Sequence, residues 1–152
     1  MSFEAELDQE RARILRAIRQ ATNNWAQAMR AHKLAPPDAG FAGRLRSLAD
    51  AAASEQVAWE YAHSAGLQWR PVAGADRAEP PYELRPGTGR RGPAELWARF
   101  DGAVATLNRA ITGSESAAVA DAFGEMSEAA GALADAVAHE DGEPRTRAQG
   151  AA

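Results

Sequence analysis

The chain has 152 residues, 45% of them hydrophobic, a formal net charge of −4 and no cysteine. That length suits one domain with a core of its own, and the missing cysteine excludes disulfides, thiolate metal sites and cysteine nucleophiles. A sequence pI near 5.4 disfavours nucleic acid as a partner, because general nucleic-acid binding relies on a basic footprint.

Lys33 is the one lysine among 17 basic residues, so lysine-dependent Schiff-base or P-loop chemistry has almost nothing to work with. The opening residues Met1 to Glu6 have neither the basic start nor the apolar run of a secretory signal, and no apolar run is long enough to span a membrane. A cytoplasmic protein without a membrane partner is the expectation. Much of the hydrophobic fraction is alanine, which favours helix but buries little area, so each large apolar side chain on an inner face should count heavily.

In chain order, Ser2 reads as the N-cap of a first helix, with Glu4, Glu6, Asp8 and Glu10 near the positive end of its dipole. Leu7, Ile14, Ala21 and Ala28 repeat by seven and Ile18, Trp25 and His32 form a second row, predicting one apolar stripe over about 3–32. The Thr22-Asn23-Asn24 triplet predicts a kink, because short polar side chains compete for backbone hydrogen bonds. Pro36 and Pro37 end this helix, and Pro37 or Asp38 opens a second over about 38–65. Its stripe is Phe41, Leu45, Leu48, Ala52, Glu55, Trp59 and Ala62, closed by Gly66 as the left-handed residue past the helix end.

Pro93 is placed to open a third helix over about 93–112, with Leu96, Phe100, Val104 or Ala103, Leu107 and Ile111 or Ala110 along one face. Gly113 breaks it, and Ser114 or Ser116 caps a fourth helix over about 115–140 with the stripe Val119, Phe123, Met126, Ala130, Leu133 and Val137. Residues 141–152 lack periodicity and read as a disordered tail. The fold class is therefore all-α, an antiparallel four-helix bundle of two helical hairpins occupying 1–140 as one domain. A long irregular stretch, 66–92, joins the hairpins by a direct return or by traversing the bundle, and spacing leaves that choice open. Charge is unevenly spread: Arg11 to Lys33 holds six basic and no acidic residues, and Gly113 to Glu140 six acidic and no basic ones. The simplest reading is that these are neighbouring helices whose rims attract.

Chemistry-bearing patterns are few. Glu60-Tyr61-Ala62-His63 is a Glu-x-x-His, but a di-metal bundle needs two such motifs plus inward glutamates from the other helices. His32 and His139 have no glutamate three residues before them, so neither a metal nor another cofactor is expected. Glu55 breaks its apolar stripe; it is the best candidate for an interior carboxylate with a raised pKa, although a residue at the stripe's edge, its stem packed and its carboxylate in water, is the expected arrangement.

The stretch 66–92 interleaves Arg70, Arg77, Arg85, Arg90 and Arg91 with Trp69 and Tyr82, and Gly87, Gly89 and Gly92 expose backbone amides beside three of the arginines. Trp69, Arg70, Tyr82, Arg85, Arg90 and Arg91 are the candidate partner- or ligand-binding residues. Asp76, Glu79 and Glu83 offset part of the charge, and 67–72 with 81–85 alternate as a short two-stranded ribbon would. The expected function is that of a non-enzymatic helical interaction protein. Its partner is another protein or a second copy in a homodimer, met through 66–92 or through outer helix faces. The alternative is a module binding an anionic small molecule or nucleic acid through those arginines, and a helical enzyme using Glu55 or Glu60 with His63 is a remote third.

Overall fold

The computed structural model describes residues 2–34, 40–67, 92–113 and 115–140, with backbone alone for 32–34. Among these residues the chain forms four helices: α1 (Phe3–Leu34), α2 (Phe41–Ser64), α3 (Ala94–Ala110) and α4 (Ser116–Glu140). The predicted loop 66–92, apart from its ends, and the predicted tail 141–152 lie outside the described residues.

The helix ends follow local chemistry. Ser2 caps α1 as predicted, its Oγ accepting from the Ala5 amide at 3.2 Å. At the end of α2, Gly66 takes a φ of 77°, the Leu67 amide reaches back to the Ala62 carbonyl and the Gly66 amide to that of His63, a Schellman closure. Pro93 is the residue before α3 rather than its first helical one. Ser116 does not cap α4; its hydroxyl donates instead to the Leu67 carbonyl, tying the start of α4 to the exit of α2. The polar triplet 22–24 lies within an unbroken α1.

Helix α2 packs closely against α4, with α1 against α2 and α3 against α4. Small residues allow the α2–α4 approach. A Cβ on Gly131 would lie 4.0 Å from that of Ala49, and Ser127 Oγ donates to the Ala49 carbonyl at 2.8 Å. Helices α1 and α4, whose rims are predicted to attract as neighbours, are not packing neighbours among the described residues. The acidic side of α4 meets arginines of α2 and α3 instead, in Arg46–Asp135 at 3.7 Å and Arg99–Glu128 at 3.5 Å. Side chains nevertheless cross the centre: Trp25 of α1 meets Phe123 of α4 edge-on at 5.2 Å, and Phe41 of α2 stacks on Trp97 of α3 at 6.1 Å. Trp97, absent from the predicted α3 stripe, is buried with Phe100, Ala103 and Leu107.

These pairings decide the topology that spacing left open. Arg46, Ala49 and Leu67 of the α2 segment meet Asp135, Ser127 and Ser116 in reverse order, so α2 runs against α4. Arg99 meets Glu128, and Gly92 lies beside Leu133 and Val137, so α3 also runs against α4. Helices α2 and α3 are therefore parallel. Leu67 and Gly92 sit at opposite ends of the bundle.

Candidate functional site

Two features of the α1/α2 hairpin stand apart from an ordinary apolar core. The first is interior. Glu55 is only 2% exposed, which corrects the expectation that its carboxylate reaches water. Its stripe position faces the centre of the bundle, and two neighbours satisfy it there. Trp59, one turn along α2, donates Nε1–H to Glu55 Oε2 at 2.8 Å, and the side chain of Thr22, on α1, is hydrogen-bonded to the same carboxyl. Burial pushes the Glu55 pKa from 4.5 up to about 7, and the bonds to Trp59 and Thr22 act in the opposite direction. Thr22 thus spends its hydroxyl on a partner across the helix interface. With that hydroxyl engaged and Asn24 Oδ1 accepting from Gln20 Nε2 at 3.2 Å, the triplet read as a kink lies within a continuous helix.

The second feature is external. Residues 2–13 are exposed apart from half-buried Ala5, and burial of α1 begins at Ile14. Leu7, read as the start of the buried stripe, is 37% exposed, and Phe3 is 74% exposed. The reason is length. α1 has 32 residues against 24 in α2, and with Thr22 opposite Glu55 the last turn of α2 comes level with residues 13–14. Residues 3–13 therefore overhang the bundle by about 16 Å at 1.5 Å per residue.

Immediately inward of the overhang, a groove runs along the outer seam of the hairpin. Ala17, Ala21 and Asn24 form one wall and Ser54, Ala58 and Tyr61 the other. It continues along Ala28, Ala31, Ser47 and Ala51. Small side chains make the groove, and exposed Val57 and Tyr61 stand at its edge. Phe3, Leu7, Glu10, Ile14, Ala17 and Ala21 step by four and three, so the row that carries Phe3 and Leu7, interrupted by Glu10, leads into it.

The candidate residues chosen from sequence, Trp69, Arg70, Tyr82, Arg85, Arg90 and Arg91, all lie outside the described residues. Glu60 and His63 are exposed on the last turns of α2, and Glu60 Oε1 accepts from Gln56 Nε2 at 3.2 Å. Among the described residues no three His, Cys, Asp or Glu side chains are grouped to hold a metal ion, and no helix is long and apolar enough to cross a membrane. The overhang escaped the sequence reading because Leu7 is in register with Ile14 and Ala21. Six charged residues packed between Glu4 and Arg13 were the available signal. No protein-family model, curated protein or solved structure matches this chain.

Proposed function

We propose that this chain is a non-enzymatic helical interaction protein whose docking surface is the overhanging start of α1 together with the adjoining α1/α2 groove. The observation that carries this reading is the exposure of Phe3 and Leu7 on a helical row that enters the core at Ile14 and lines the open groove at Ala17 and Ala21. An apolar row extending past its own bundle is the surface an amphipathic helix offers to another helical element. The alanine and serine walls of the groove let a second helix approach closely, much as α2 and α4 approach each other.

The interior carboxyl fits a structural role within this reading. Glu55 joins α1 to α2 through Thr22 and so fixes the register of the two helices that form the groove.

The test is a paired substitution, Phe3→Ser with Leu7→Ser. Both side chains are exposed, so the variant should keep the wild-type thermal midpoint and helix content. It should lose proteins that co-purify with the wild type. Equal recovery by wild type and variant would overturn the reading.

A further inference from the structure

Resting on that reading, we infer that the partner of the overhang is a second copy of this chain, bound antiparallel about a two-fold axis that crosses α1 near Glu10 and Arg11. Charge order along one exposed helix specifies this partner. Glu4, Glu6, Asp8 and Glu10 occupy the first part of α1 without an intervening base, and Arg11, Arg13 and Arg16 follow without an intervening acid. All seven are exposed. A helix that is acidic first and basic next is complementary to itself only when the second copy is reversed. Antiparallel pairing near the 10–11 junction sets Glu6 and Glu10 on the flank that meets the partner's Arg13 and Asp8 on the flank that meets the partner's Arg11, and the two-fold axis repeats each attraction. A parallel pair would set acid against acid.

The same axis decides where the apolar residues go. Pairing residue 3 with the region of 17–18, and residue 7 with the region of 14–15, carries Phe3 and Leu7 of each copy toward Ala17, Ala21 and the exposed Leu15 of the other. Phe3 thereby reaches the mouth of the α1/α2 groove, beside Tyr61 and Ala58. One rotation thus covers the overhang, fills the adjoining end of the groove and matches the charges.

Sedimentation equilibrium of the full chain provides the test. The wild type should show a mass rising with concentration toward twice the 16.1 kDa of one chain. Leu7→Glu should weaken self-association at least tenfold with unchanged circular dichroism. Glu6→Arg with Asp8→Arg should be monomeric, as should Arg13→Glu with Arg16→Glu, and mixing these two variants should restore a dimer.

Failure of the mixture to associate, or a wild-type dimer indifferent to Leu7→Glu, would overturn the antiparallel pairing. A wild type that stays monomeric while proteins other than itself still bind in a Phe3- and Leu7-dependent way would overturn self-pairing and leave the interaction reading standing. A monomer with no such binding would overturn both.

Discussion

The Trp59 indole and the Glu55 carboxyl, one helical turn apart on α2, are joined by a 2.8 Å hydrogen bond inside the bundle. Burial raises the Glu55 pKa from 4.5 to about 7, so between those values the folded chain holds a proton that the unfolded chain has released. The contribution of this group to stability is therefore full below about pH 4.5, declines as pH rises and levels off above about pH 7. The whole decline amounts to about 3 kcal/mol. Glu55→Gln keeps an acceptor for Trp59 and removes the titration. Denaturant unfolding from pH 5 to 8 should show a falling stability for the wild type that the variant lacks, and at pH 8 the variant should be the more stable protein.

Trp59→Phe probes the same pair from the other side. The ring still fills most of its site, but the carboxyl loses a donor that favours its charged form. A carbon-detected titration of Glu55 should show its pKa moving above the wild-type value. An unchanged or lowered value would mean that Trp59 does not act on the carboxyl in solution.

The glycines of α4 differ in a way that substitution can read. A Cβ at Gly131 meets Ala49 Cβ at 4.0 Å, ordinary contact, whereas one at Gly124 would come within 2.6 Å of Gln56 Nε2. Gly131→Ala should stabilise the bundle by roughly 0.5–1 kcal/mol through helix propensity. Gly124→Ala should stabilise less or destabilise, because Gln56 must leave the position from which it donates to Glu60. Thermal midpoints of the two variants, compared with the wild type, check the order.

Much of the fold was legible because helical periodicity and end signals agree. The stripes of α2 and α4 are buried at every predicted position, and Gly66 has the left-handed backbone expected of it. The burial of Glu55 is not legible locally, because a stripe position does not reveal whether a neighbouring helix brings a hydrogen-bonding group to it, and Thr22 lies more than thirty residues earlier in the chain. The exposure of Leu7 is hidden for a related reason. Periodicity marks an apolar face, but only the lengths of the packed helices decide where the core covering that face ends. The parallel course of α2 and α3 was likewise invisible locally, since it depends on which ends meet in space.

Amide hydrogen exchange at residues 3–13 tests the central claim, that the α1 overhang is where this chain meets a second copy, most directly. About three helical turns without tertiary packing should open readily, so protection there depends on a covering partner. Protection at 3–13 should rise with protein concentration and disappear in Phe3→Ser with Leu7→Ser, while protection in the 14–31 segment stays constant. Protection at 3–13 that is indifferent to dilution and to those substitutions would contradict it.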